Sequence, residues 1–482
     1  MSLGPPEVIL AADLGAGSIR AAAIGFDGRT HAIARRALAI DEPAPGWAEA
    51  DPDVWWQALC QTMSQVLAGV TPRAIAITAM TRSQVFLDRA GRSLRPAIIW
   101  RDTRAAAEAA ACARWLPIEN PATAVNPFHT LARVAWLHHH EPATFDALGA
   151  VLEPKDALNL RLTGVTAADG VTAARFDDLA PAAGAPAWLS DSLSRLALPR
   201  RMPWQAVGTV TATEAPFDGL RGLPVFGGAM DTWAGAVGAG AVAPGLAYDV
   251  AGTSEAVGLI TAGGARVNGL VPLPWTETAF QLGGPTQAGG DAARWAFELL
   301  RLSGALSDAV ERAGRIPPTR HLPVFLPYLA GERAPVWRTD VGGQLSGLTR
   351  AHGPAEVMFA VLEGVAGAVD DIVRTAEAAG TTAEAVHICG GGARSDAWCQ
   401  LKADVLGLPV VRPREVETGL VGSAAAAAVG LGVYASLAEA VAAMNGPERT
   451  FLPRPEHADA FAERRAARKA LKAFALAHPL GP

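Results

Sequence analysis

The chain has 482 residues, 50% of them hydrophobic and 18% charged, and its 41 basic and 47 acidic side chains leave a net charge of −6. At roughly 100–200 residues per domain, this predicts two or three domains with sizeable cores and excludes a wholly disordered chain. The mild acidity also lacks the electrostatic footprint of a general nucleic-acid binder.

The first element is a short apolar strand over 8–14, followed by a turn at Gly15-Ala16-Gly17-Ser18 and a second strand over 19–26. Two apolar runs joined by glycines predict a β-hairpin, and Asp27-Gly28 predicts a turn into a third strand. A helix is expected over 51–67, with Asp51 as N-cap, Pro52 at its first position, and apolar residues at helical spacing. Strands follow at 74–79 and 85–87. Near residue 246 the pattern restarts, with a strand at 246–250, a turn at Gly252-Thr253-Ser254 and a strand at 256–261. Set in register, 10–25 and 246–261 match at Leu, Ala, Asp and Ser, so that Asp13 corresponds to Asp249 and Ser18 to Ser254. This predicts an internal duplication of one α/β unit. Further helices are expected at 289–302, 355–379, 396–406 and 423–431, with strands at 386–389 and 410–411. The last helix, 461–474, is rich in Arg and Lys and is expected to present a solvated face while packing on the other.

The four cysteines (Cys60, Cys112, Cys389 and Cys399) form no CxxC pair, which argues against a disulfide scaffold or structural zinc and for a cytoplasmic setting. No basic-then-apolar signal pattern opens the chain. The most apolar stretch, 421–435, is shorter than the roughly 20 residues a bilayer needs, so no membrane association is expected. Its small residues suit a helix packed closely on other backbone.

Four motifs carry candidate chemistry. Asp13 stands at a strand end beside the Gly15–Ser18 turn, where glycines let backbone amides approach an anion and a carboxylate can hold Mg²⁺. Gly252-Thr253-Ser254 is a second such loop, and one per half raises the phosphate reading over that of a plain turn. Gly390-Gly391-Gly392-Ala393-Arg394-Ser395 joins a strand to a helix without matching GxGxxG. Gly227-Gly228-Ala229-Met230-Asp231 follows the strand ending at Phe226; here Asp231 reads equally as a general base or as a helix N-cap. The consecutive His138, His139 and His140 point in different directions on a helix and read as a surface cluster, not a metal site.

In this order, the four motifs resemble the FGGY carbohydrate kinases of the actin-like ATPase superfamily, over about residues 8–431. Several blocks are closest to the xylulokinases: Trp47 to Pro52 with Trp55-Trp56, Pro96 to Trp100 with Asp102, Pro154-Lys155-Asp156, and Phe325 to Arg333. Gly347-Leu348-Thr349 with His352-Gly353 and Leu362-Glu363-Gly364 is similar to the second family motif. The resemblance implies an α/β chain of two actin-like (ribonuclease H-like) domains with a cleft between them. An N-terminal sugar-binding domain would span 7–243 and a C-terminal nucleotide-binding domain 244–475. It implies ATP and Mg²⁺ as cofactors, a small sugar as substrate, and admits a homodimer. Asp231 matches the catalytic base and Asp13 the residue that positions metal and phosphates. Gly15, Ser18, Gly252 and Thr253 would cradle phosphates, Gly290 and Arg294 would border the nucleotide, and Gly391, Gly392 and Ser395 match the adenosine-side loop. Thr81, Arg82, Trp100 and Asp102, with Asp231, match sugar-pocket positions.

The chain departs from the family pattern twice. Ala16 and Gly17 stand where hydroxyl residues usually follow the first glycine. Thr81-Arg82 stands where xylulokinases carry Met-His and glycerol kinases Arg-Glu, and Arg82 could grip hydroxyls or a carboxylate. The expected activity is phosphorylation of a ketopentose such as D-xylulose. The alternatives are a kinase for ribulose, gluconate or erythritol, or a non-catalytic nucleotide or sugar sensor.

Overall fold

In a computed structural model, which describes residues 4–177 and 179–479, the chain alternates strands and helices along its length. β1 (Glu7–Leu14), β2 (Ser18–Gly25) and β3 (Thr30–Ala37) form an antiparallel meander. β1 is apolar on both sides because both sides are covered, as expected of a central strand. α1 (Pro52–Val66) covers one side. Its N-cap Asp51 accepts a hydrogen bond from the Asp53 amide at 2.8 Å, and it buries Trp55, Leu59, Met63 and Val66. β4 (Thr71–Ala79) then returns parallel to β1. Helices α2 (Thr130–His140) and α3 (Pro154–Thr163) precede β5 (Ala206–Thr209) and β6 (Pro224–Phe226), and α4 (Asp231–Gly238) follows. The sheet order is β5-β6-β4-β1-β2-β3.

The second sheet uses β7 (Leu246–Ala251), β8 (Glu255–Thr261), β9 (Val271–Pro274) and β10 (Phe280–Pro285). After α5 (Gly290–Leu299) and the 23-residue α6 (Pro354–Ala376) come β11 (Ala385–Cys389), α7 (Asp396–Leu406) and β12 (Val410–Pro413). Then follow α8 (Gly419–Gly430), β13 (Pro447–Phe451) and α9 (Ala458–Ala477). The order is β9-β10-β8-β7-β11-β12-β13. Apart from the extra edge strand β9, it repeats the first sheet strand for strand: an antiparallel meander, two strands parallel to its first member, and an antiparallel edge. The duplication anticipated from the matched residues therefore extends to topology.

The chain divides into two compact units, and they are not contiguous halves. The first holds residues up to 119, 123–234 and 419–444; the second holds 120–122, 235–418 and 445 onward. The segment 419–444 departs from the simple 7–243 and 244–475 division because α8 packs against β1 and β4 of the first unit. Its buried Leu420 to Ala428 are nearly all small, which permits that close approach.

α9 also differs from expectation. It keeps a solvated face that includes Lys469, but its basic residues are not confined to that face: Arg464 and Arg468 are buried. Arg464 grips Glu363 of α6 and donates to the carbonyls of Thr319, Leu322 and Pro323, each at 2.9 Å. Arg465 donates to Asp370 and Lys472 to Asp371. The helix is bound to α6 through this ladder, because α6 presents carboxylates along its length.

Candidate active site

In the first unit, Asp13 lies at the carboxyl end of β1 and Asp231 just beyond that of β6, the two strands that flank β4, on the edge of the sheet where ligands bind in open α/β folds. Asp13 is the penultimate residue of β1, paired in register with Thr78 of β4. Its side chain leaves the sheet on the side opposite Leu10, Ala12 and Leu14, which belong to the α1 core. The first residue of α8 stands beside it, with a Cβ at Gly419 lying 3.6 Å from Asp13 Oδ2. Asp13 is bound by Arg20, the residue directly opposite it on β2. That partner was not anticipated, although the hairpin register makes it countable from the loop length.

Asp231 begins α4. Its position is set by the segment before it, which is bound to the end of β4. Thr78 Oγ1 donates to the Ala229 carbonyl at 2.6 Å, and Met230 pairs with Ala79. Gly228 has φ +64°, and a Cβ there would come within 1.8 Å of the Ile77 carbonyl, so glycine is required. Asp231 Oδ1 accepts from the Thr232 amide at 2.7 Å, a local contact that does not cap the helix further in. Solvent reaches the side chain, yet the protein gathered around it and the charge of Asp13 push its carboxyl up to about 6, with Glu153 adding to the rise. Two carboxylates close enough to repel, one of them shifted toward neutrality, suit general-base work.

Thr81, Arg82 and Trp100 come together. The Trp100 amide donates to Ser83 Oγ at 3.1 Å, and the Trp100 side chain is exposed, not part of the core. Thr81 Oγ1 is buried without a hydrogen-bond partner. Arg82 adopts φ +54°, an uncommon conformation for a residue with a side chain. The structure holds it through Arg133 of α2, a fully buried guanidinium that donates to the carbonyls of Arg82 (2.6 Å), Ile98 (3.1 Å), Ile99 (2.7 Å) and Asp102 (3.2 Å). Burial draws Arg133 down to about 9, so it stays charged at neutral pH. Glu153, paired with Arg175, accepts from the Ser83 amide at 3.4 Å. Sequence reasoning missed this support; its one signal was a lone arginine in the apolar stretch of α2.

Asp102 takes a different place from the sugar-pocket wall. It is fully buried, accepts from the Ala48 amide at 2.6 Å and is gripped by Arg104, so both oxygens serve the packing of this segment. The three histidines end α2 as expected, with His140 2.9 Å from Glu108.

The first turn is closed by the Gly15 amide donating to the Ser18 carbonyl at 3.0 Å. Ser18 Oγ accepts from Arg35, and a Cβ at Gly17 would meet only open space.

In the second unit, Gly252 and Thr253 are exposed at the β7–β8 turn. The turn is fastened to the start of α5 by Gly290 N–H to Gly252 O (2.9 Å) and Asp291 N–H to Thr253 O (3.1 Å). Side chains at Gly289 or Gly290 would collide with this backbone. Arg294 is exposed one turn along α5. Gly390 and Gly392 press against Ala251 of β7, leaving Gly391 exposed. Ser395 is engaged in structure: its hydroxyl donates to Glu311 at 2.6 Å and accepts from the Trp398 amide to cap α7. Among the described residues no group of three His, Cys, Asp or Glu side chains is arranged to hold a metal. A Mg²⁺ ion needs only one or two carboxylates when phosphates supply the rest, and Asp13 and Asp231 fit that demand.

Known proteins match the chain over most of its length. Residues 8–238 match the N-terminal domain, and 247–431 the C-terminal domain, of the FGGY family of carbohydrate kinases. The chain is 33% identical to the xylulose kinase of Escherichia coli (strain K12) over 417 residues, 82% of this chain and 84% of that protein. It is 32% identical to the glycerol kinase of Methylibium petroleiphilum over 499 residues, 92% of this chain and 95% of that one. Among solved structures it superposes on a xylulose kinase from Rhodospirillum rubrum with TM-score 0.85 and 27% identity, covering 96% and 98% of the chains. It shares its fold with a gluconate kinase from Lactobacillus acidophilus at TM-score 0.87 and 22% identity, covering 98% and 99%. The chain belongs to the FGGY family of carbohydrate kinases, a sugar-kinase phosphotransferase of two actin-like, ribonuclease H-like domains.

Proposed function

We propose that this kinase transfers the γ-phosphate of ATP to a hydroxyl of a ketopentose, with D-xylulose the first substrate to test. The observation that carries the reading is the pair of carboxylates at the ends of the two strands flanking β4, Asp13 held by Arg20 and Asp231 raised toward neutrality, beside the Thr81-Arg82 and Trp100 segments. Asp231 accepts the proton of the attacking hydroxyl. The new O–P bond forms as the bond from the γ-phosphorus to the β–γ bridging oxygen breaks, and ADP leaves with that electron pair. Asp13 would hold a Mg²⁺ ion, which would supply charge neutralisation at the phosphates. The Gly252-Thr253 and Gly15–Ser18 amides receive phosphate oxygens, while Gly391 and Gly392 present bare backbone to the adenosine side. The Trp100 face and the orphaned Thr81 hydroxyl receive the sugar.

A second reading, a sugar-acid kinase, is favoured by Arg82, whose strained backbone is clamped beside a second guanidinium, Arg133. The test is sugar-dependent ADP release from Mg-ATP across D-xylulose, L-xylulose, D- and L-ribulose, gluconate, glycerol and erythritol. Stimulation greatest with D-xylulose supports the first reading, and stimulation greatest with gluconate supports the second. Release stimulated by none of them, with the nucleotide still bound, rejects both.

A further inference from the structure

Asp249, the second-half counterpart of Asp13, is fully buried. It sits on β7 three residues before Gly252; Glu255 opens β8 directly after Ser254. The register pairs Asp249 with Val257 and Ala251 with Glu255, so both carboxylates project from the same side of the sheet, one at each end of the exposed turn. Lys402, buried on α7, reaches both: it donates to Asp249 Oδ2 and, at 2.5 Å, to Glu255 Oε1. Glu255 is tied further by its amide, which donates to Thr286 Oγ1 at 3.0 Å. α7 begins four residues after Gly392, with the Gly390–Gly392 loop packed on Ala251, between Asp249 and Gly252.

One lysine against two buried carboxylates leaves Asp249 Oδ1 and Glu255 Oε2 without partners. Burial, with the charge of Asp249 adding, pushes the Glu255 carboxyl up. Burial alone would lower Lys402, but Asp249 and Glu255 keep it charged. Asp291 is the next acidic group bearing on Glu255. Three ionisable side chains inside a core are a costly way to pack, and hydrophobic residues of like size commonly serve as well. Their placement at both ends of one loop and at the root of another gives them a use.

We infer that Lys402 is a positioning residue for nucleotide binding: from α7 it holds the two ends of the 252–254 turn and ties that turn to the 390–392 loop. The inference rests on the kinase reading, in which these two loops receive the phosphates and the adenosine side.

The experiment is titration calorimetry of the full chain with MgADP, alongside KM for ATP and for the acceptor. Lys402→Met should weaken MgADP binding about tenfold or more and raise the ATP KM in parallel, while the acceptor KM stays within about twofold. Because Lys402→Met strands two buried carboxylates, a second variant combines Lys402→Leu with Asp249→Asn and Glu255→Gln, which leaves no buried charge but no tie either; the same split is expected. A folded variant that binds MgADP within about twofold of the parent, or one that loses acceptor and nucleotide affinity equally, overturns the inference. A parent chain that binds no MgADP rejects the kinase reading itself.

Discussion

Asp231 stands where a strand end, a glycine of positive φ and a neighbouring carboxylate coincide, and its chemistry follows from that position. The upward shift to about 6 means that the carboxyl is protonated below that pH and ionised above it. A general base must be ionised, so kcat/KM should rise with pH through an acid limb near this value. Asp231→Asn should lower turnover about 10²-fold or more, abolish the limb and leave MgADP affinity near that of the parent. An acid limb that persists in the variant would assign it to another group. Asp102 teaches the opposite lesson. A carboxylate in a family block looked like a pocket residue, and full burial with both oxygens occupied makes it a structural one. Residue type and spacing do not reveal whether a side chain points at solvent or at its neighbours.

Elements place these residues through contacts that a linear pattern conceals. The segment between β6 and α4 lies against Ile77, and Gly228→Ala would force a Cβ into that carbonyl. The expected cost is about 1–3 kcal/mol of stability with a fall in turnover larger than the loss of folded protein, measured by urea unfolding and single-turnover rates on one preparation. The α9 ladder makes a second prediction. Arg464 and Glu363 are both nearly inaccessible, so Arg464→Met leaves a buried carboxylate unpaired and should cost about 3–5 kcal/mol. Adding Glu363→Gln should recover much of that loss, because the stranded charge is then gone. A double variant as unstable as the single one would show that the ladder acts through packing instead. The sequence marked α9 as amphipathic and basic, which is correct as far as periodicity goes. The carboxylates that receive it lie some hundred residues earlier, on α6.

At the scale of the molecule, two sheets of matching order express one duplicated unit, but the chain does not divide where the repeat does. α8 belongs to the first unit and covers β1 and β4. A fragment ending at residue 243 should therefore expose an apolar face, bind a hydrophobic dye and aggregate, and appending 419–444 through a flexible linker should restore a monodisperse species on gel filtration. The sequence by itself determined the two opening hairpins, the first helix, several later helices and strands, the glycine turns and the order of the family motifs, because each depends on residues within one or two turns of chain. It also placed Asp13 at the end of β1 and Asp231 shortly after β6. Only the tertiary structure decided that Arg20 binds Asp13, that Arg133 holds the Thr81-Arg82 segment from beneath, that Asp102 is buried, and that Lys402 joins the ends of the second loop. The reason is physical: a buried charge is defined by partners brought from elsewhere in the chain, and no local pattern records them.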